Sequence, residues 1–150
     1  MRGSIASIQT CLGQRAPMQP LDETHLVQGG IAGDAHFAPE SARQLLLADQ
    51  ESLLALGVSP GDIKENLTLQ GVGVMDLPAG TRLALGEAEI QITKECEPCS
   101  RMDEIRWGLK EQLVGRRGMY ARVVRPGRVR LGDPVRVLGE AGDGPGEMPA

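Results

Sequence analysis

A single, mainly β domain of barrel type is what this 150-residue sequence predicts, from three observations. Twenty glycines and ten prolines break the chain at short intervals. Between them lie brief runs rich in Val, Ile and Leu instead of long helical stripes. And two stretches, "GTRLALGEAEIQI" and "GRVRLGDPVRV", share one plan. Each has a Gly-opened run, a turn at Gly86-Glu87 or Gly132-Asp133, and a second run with the period-2 alternation of a strand. Two hairpins of one kind suggest a barrel built from repeated units. A chain of this length buries about 68–70% of its unfolded surface, so it needs no staples to fold.

Along the chain, strands are expected over Ser4–Gln9, Gln44–Ala48, Asn66–Gln70, Arg82–Leu85, Ala88–Thr93, Tyr120–Val124, Arg128–Leu131 and Val135–Leu138. "DQESLLALG" reads as a helix with Asp49 as N-cap, Leu53, Leu54 and Leu56 as its apolar face and Gly57 as its stop. "DEIRWGLKEQLVG" reads as a second helix, with Ile105, Leu109 and Leu113 at i, i+4, i+8 and Gly115 after its end. The closing "GEAGDGPGEMPA" is polar and aperiodic, which sets a domain over residues 1–140 and a flexible tail over 141–150.

Composition excludes several function classes. The net charge is −4 and the pI about 5.2, so no basic field favours nucleic acid. Three aromatic residues, Phe37, Trp107 and Tyr120, make no stacking platform for single strands. Most of the sixteen Lys and Arg residues nonetheless lie between Lys94 and Arg136, an asymmetry that suits a small anion or is simply a solvated face. There is no long apolar run for a membrane, and "MRGSIASIQTCLGQ" lacks a signal-peptide core, so a cytoplasmic chain is expected. Three cysteines, an odd number, are then expected as reduced thiols, and Asn66-Leu67-Thr68 is only a tripeptide.

The chemistry concentrates in "TKECEPCSRM", where Cys96 and Cys99 stand three residues apart. A thioredoxin-like pair belongs in a βαβ setting, whereas the flanks here are a hairpin strand and a helix. A zinc site needs four ligands, and only Cys11, His25 and His36 remain, none in paired spacing. Inert buried thiols are a further reading. Lys94 and Arg101 flank the pair, however, and positive neighbours populate the thiolate, which is both nucleophile and metal ligand. Pro98 keeps Glu97 extended, so no helix starts before Cys99 and its thiol sits on a bend. Such a thiolate can hold a soft metal or carry a sulfane sulfur.

Five blocks occur in order: "GGIAGDAH", "RQLLL", "GDIKENLTLQGV", "CEPCSRM" and "GRRGMYARVVRPGRVRLGDPV". The ordered set resembles the MOSC domain, the module named for the C-terminal domain of molybdenum-cofactor sulfurases, in a short stand-alone form. The resemblance runs from about residue 3 to residue 138. It implies a β-barrel with two or three short helices and a connection to the molybdenum cofactor (molybdopterin). It also implies one cysteine, preceded by proline, as molybdenum ligand or sulfur acceptor; by position that is Cys99, with Cys96 an extra thiol.

Residue chemistry is compatible with such a ligand. A dithiolene-bound metal at one end and a phosphate at the other require a soft ligand at one end and cations at the other. Cys99 supplies the first. In "GRRG", Arg116 and Arg117 bring guanidinium forks, and Gly115 and Gly118 allow close backbone approach; a salt-bridged surface loop is the plainer reading. Asp34 and His36 fall on one side of an extended segment, and His36 suits a pterin edge, a phosphate or a structural hydrogen bond. Asn66 suits a pterin edge or the turn before its strand. Arg43 suits an anion or a carboxylate such as Glu65. Cys99 and Cys96 are therefore the candidate catalytic residues, Cys99 the metal ligand, and His36, Arg43, Asn66, Lys94, Arg101, Arg116 and Arg117 the candidate cofactor-binding residues.

Three functions follow. The first is a sulfur carrier or cofactor-handling protein, partnered by a cysteine desulfurase or a molybdenum-cofactor enzyme. The second is a small reductase of N-hydroxylated compounds, fed by a separate electron-transfer protein because the chain carries neither a cluster motif nor GxGxxG. The third is a module that stores cofactor or oxyanion. A second thiol that resolves a persulfide favours the first.

Overall fold

The computed structural model describes residues 2–13 and 16–139. The expected tail over 141–150 lies outside them. In chain order the elements are β1 (Arg2–Thr10), β2 (Gln19–Leu21), β3 (Glu23–Val27), β4 (Gly30–Ile31), β5 (Leu45–Asp49), α1 (Gln50–Leu56), β6 (Leu67–Gln70), a 3-10 turn (Val74–Asp76), β7 (Arg82–Leu85), β8 (Ala88–Glu95), α2 (Met102–Ile105), α3 (Leu109–Gln112), β9 (Met119–Arg125), β10 (Gly127–Arg130) and β11 (Pro134–Gly139). All eight expected strands are present, within one or two residues at their ends.

Seven strands close into a barrel in the order β1-β6-β5-β9-β8-β7-β11, and β11 returns to β1. Every pairing in the ring is antiparallel except β5 with β6. Closure removes the exposed sheet edges, and the alternating apolar residues point inward. Ile5, Leu47, Leu67, Leu83, Ile90, Ala121 and Val135 are among the side chains that fill the interior, all at most 2% exposed. A second apolar cluster, Ala48, Leu53, Val58, Ile63, Met102, Leu109 and Leu113, fastens the helices to the barrel.

Several expectations are corrected. "GRVRLGDPVRV" is not a hairpin: β10 pairs with β3 in a separate three-stranded sheet with β4, while β11 joins the barrel. The turn redirects the chain because Gly132 N–H donates to the Ile5 carbonyl at 2.8 Å, and the Asp133 carboxylate accepts from Arg130 N–H at 2.8 Å. "GTRLALGEAEIQI" does form the β7–β8 hairpin, with Gly86 at φ +53 in its two-residue turn. The second helix is two four-residue pieces, because Arg106 turns extended after Ile105 and Gly108 takes φ +87. Met102 therefore replaces Ile105 in the packed face, and Ile105 is 41% exposed. In α1, Leu54 is likewise exposed, and Gly57 ends the helix at φ +69. Asp49 precedes α1, but its carboxylate accepts from Ser52 Oγ and Val74 N–H instead of capping it.

Gly118 has a structural reason to be glycine. Its φ is +136, and a Cβ there would stand 2.4 Å from the Leu47 carbonyl oxygen. β9 can lie against β5 only without a side chain at this point, so its close approach serves the barrel. Gly118→Ala is expected to cost more than about 2 kcal/mol, measured as a lower urea midpoint at unchanged slope.

Candidate functional site

Strand register places the candidate residues around one level of the barrel. Glu95 pairs with Met119, Met119 with Leu47, Leu47 with Leu67 and Leu67 with Ile8, so these five residues form one level around the ring. Cys99 follows Glu95, Arg117 precedes Met119, Lys64 precedes Leu67 and Cys11 follows Ile8. Because β5 and β6 run parallel, Cys99 and Arg117 leave that level in one direction and Lys64 and Cys11 in the other. All four line one cleft of about 600 Å³, together with His36, Arg101 and Tyr120.

The cleft wall on the histidine side hangs from Asp34. Its side chain is almost inaccessible, with Oδ2 accepting from Cys11 N–H (2.6 Å), Thr10 Oγ1 (3.1 Å) and Asn66 Nδ2 (2.8 Å). Oδ1 accepts from His36 N–H (2.7 Å) and lies 3.0 Å from His36 Nδ1. Burial alone would raise the Asp34 carboxyl, but the hydrogen bonds from His36 and Cys11 outweigh it and hold the group below its ordinary 3.8. An ionised carboxylate keeps the His36 proton on Nδ1, leaving Nε2 as the ring nitrogen without a partner among the described residues.

A depressed carboxyl stabilises the fold above its unfolded value, and that contribution disappears as pH falls through the folded value. Asp34→Asn is therefore expected to lose about 2 kcal/mol or more at neutral pH. The gap to wild type should close below about pH 4 in denaturant titrations.

Arg117 is the unusual group. Its side chain belongs to a residue only 6% exposed, and Nε and Nη1 are both buried without a hydrogen-bond partner. A desolvated guanidinium with idle donors costs several kcal/mol unless something offsets it. Glu65 shares the interior near it, but Glu65 Oε2 accepts from Gly61 N–H and Thr68 Oγ1, both at 2.9 Å, and burial pushes the Glu65 carboxyl up. Arg116, its neighbour, is exposed. The two arginines of "GRRG" are thus unlike each other.

The cysteines separate as well. Cys99 is exposed and lines the cleft; the bend expected there is present, with Met102 N–H donating to the Cys99 carbonyl at 2.9 Å as α2 begins. Cys96 is 6% exposed, and its thiol donates to the Tyr120 hydroxyl at 3.4 Å. Cys96 lines a different hollow, with Arg43 and Lys94. Arg43 is exposed and stacks its guanidinium 5.4 Å from the Tyr120 ring centroid, so it is neither a Glu65 partner nor a cleft residue. Burial, then the contact with Cys96, pushes the Tyr120 phenol up to about 12.

Asn66 is completely buried. Its oxygen accepts from Leu46 N–H (3.0 Å), and its amide donates to the Gln9 carbonyl (3.2 Å) and Asp34. Every polar atom of that side chain is committed within the protein, so Asn66 fastens the rim and does not face the cleft. Cleft residues that the sequence did not single out for this role include Cys11, Lys64 and Tyr120. Cys11 is buried, with its thiol donating to the Gly13 carbonyl at 3.4 Å. Lys64 sits at φ +70, the one non-glycine with positive φ among the described residues, and its ammonium donates to the Ala16 carbonyl. Tyr120 was legible only as a strand residue. Among the described residues no group of three or more His, Cys, Asp or Glu is placed to hold a metal ion. No helix among them is long and apolar enough to cross a membrane.

The chain is similar to known proteins. "Uncharacterized protein YflK" of Bacillus subtilis (strain 168) is 30% identical over 118 residues, which covers 71% of this chain and 53% of that protein. The chain thus spans about half the length of this curated relative. Among solved structures, the YUAD protein from Bacillus subtilis superposes with a TM-score of 0.81 at 22% identity, over 91% of this chain and 96% of its own. YiiM from Escherichia coli superposes with a TM-score of 0.71 at 22% identity, over 94% of this chain and 71% of its own. Both show the same fold. Residues 32–136, from the histidine-bearing loop to β11, match the MOSC domain, and the chain belongs to that family.

Proposed function

We propose that this protein handles the molybdenum cofactor in the cleft, with Cys99 as sulfur acceptor or soft ligand and Arg117 as receptor for the cofactor's phosphate. The single observation that carries this reading is the juxtaposition in one cleft of an exposed thiol and a buried guanidinium with two idle donors. A soft donor and an anion receptor are the two groups that molybdopterin requires. When bound, the cofactor supplies a dithiolene-held molybdenum centre able to exchange sulfur and oxygen atoms.

The chain's own residues do the rest. Arg117 gives charge-assisted hydrogen bonds to the anionic end, and Lys64 and Arg101 line the same cleft with the carboxylates of Asp62 and Glu104. His36 Nε2 is free for a polar edge of the ligand. In sulfur handling, the Cys99 thiolate attacks the terminal sulfur of a donor protein's persulfide. One S–S bond breaks and one forms, the donor leaves as its thiolate, and nothing is oxidised or reduced overall. Cys96, buried on Tyr120, is not among the cleft residues, so the vicinal-thiol argument for a resolving partner loses its support.

A second reading has one observation in its favour. Tyr120 keeps its phenolic proton at the cleft, and reduction of R–NHOH to R–NH₂ and water consumes two electrons and two protons. The electrons would come from a separate protein.

The test is pterin released on denaturation, measured by fluorescence after oxidation. Protein isolated anaerobically from a host that makes the cofactor is expected to release it and to melt higher than protein from a host that does not. Equal melting temperatures with no pterin in either preparation would refute the proposal.

A further inference from the structure

On the other side of the Cys99 bend lies a second groove, of about 700 Å³, outside the cofactor cleft. Its apolar floor includes Trp107, 88% exposed, and Val114, 68% exposed. Tryptophan is highly buried on average, so a ring this open is costly unless something covers it. The segment between α2 and α3 that carries it is pinned by Arg106, which donates to the Leu56 carbonyl at 2.7 Å and to Gln112 Oε1 at 2.6 Å. An exposed aromatic side chain on an anchored segment of a groove wall suits an interface anchor.

The groove's rim says what covers it. Glu95, Glu97, Asp103 and Glu111 line it, against the single cation Lys110. Among the described residues no ion pair neutralises any of these four carboxylates. Their field favours a cationic surface and opposes an acidic one. Position gives the contact a purpose. Pro98 lines this groove and the next residue, Cys99, lines the cofactor cleft, so a protein seated here lies beside Cys99.

We propose that the Trp107 groove is the docking surface for the protein that exchanges sulfur with Cys99, and that this partner presents Lys and Arg residues around an apolar side chain. The partner's role rests on the function proposed above; the docking chemistry rests on the groove alone.

Trp107 is the only tryptophan in the chain, so its emission reports the groove directly. The probe is a short synthetic peptide of Lys and Arg flanking two leucines. It is expected to give a saturable blue shift at low salt and to bind about tenfold more weakly near 0.5 M salt, where screening is nearly complete. Glu97→Lys with Glu111→Lys, both at exposed positions, should weaken it by about tenfold or more while leaving the pterin content unchanged. Cys99→Ser should leave peptide affinity unchanged, so the groove and the cofactor reading fail separately. Absence of a saturable shift, equal binding of the matching Asp and Glu peptide, or an affinity the charge reversal leaves intact would overturn the proposal. So would a blue shift that grows with protein concentration alone, which would assign the groove to a second copy of this chain.

Discussion

The Arg117→Met protein is expected to bind a phosphate-bearing pterin about a hundredfold more weakly than wild type and yet to melt at a higher temperature. Loss of binding follows from charge-assisted hydrogen bonds, each worth roughly 1.5–3 kcal/mol when the donor is already desolvated and waiting. The gain in stability follows from the same geometry. Nε and Nη1 of Arg117 are buried and unpartnered, and exchanging a buried charge for an apolar side chain of similar length is often neutral or stabilising by about 1–4 kcal/mol. Glu65 does not reverse the sign, because its carboxyl, already raised by burial, keeps its hydrogen bonds from Gly61 N–H and Thr68 Oγ1. Arg116→Met, at an exposed position, is the control and should stay within about 0.5 kcal/mol of wild type. Loss of stability in step with loss of binding would make Arg117 a structural ion and remove the main support for an anion site.

Cys99→Ser is expected to remove all of the protein's bound molybdenum and sulfane sulfur with almost no change in melting temperature. An exposed side chain that packs against little contributes little to stability, so the effect must be chemical. Serine oxygen is a hard donor that neither carries a sulfane sulfur nor replaces a thiolate on a soft centre. Cys96→Ser should behave oppositely. Its thiol is buried against Tyr120, so the variant is expected to lose about 1–2 kcal/mol and keep at least part of the cargo.

The strands of the barrel were legible because each carries its inward face as alternating or continuous apolar residues between glycines. "ETHLV" was not, since of β3 only Leu26 is fully buried, and β2 and β4 have three and two residues. Closure of β11 onto β1 is a long-range pairing with no local signature. The split of the second helix was written in Gly108, an interior glycine inside an otherwise periodic pattern. At the site, Cys99 could be singled out by its setting, but spacing could not say that Cys96 faces elsewhere. Arg116 and Arg117 are indistinguishable as letters, and only the loop geometry turns one outward and the other inward. Asn66 carries polarity that suited a ligand edge, whereas its hydrogen bonds, one of them to Asp34, run between the loop and the barrel rim. Polar residues on a rim look the same in sequence whether they face ligand or protein.

The measurement that bears most directly on the Cys99 cleft is metal and sulfur content per chain in protein isolated anaerobically from a cofactor-producing host, for wild type, Cys99→Ser and Cys96→Ser. Molybdenum or cyanide-labile sulfur should be present in wild type, absent in Cys99→Ser and at least partly retained in Cys96→Ser. Stoichiometric zinc lost equally in both variants, with unfolding of wild type by a chelator, would contradict the assignment and return both thiols to a structural role.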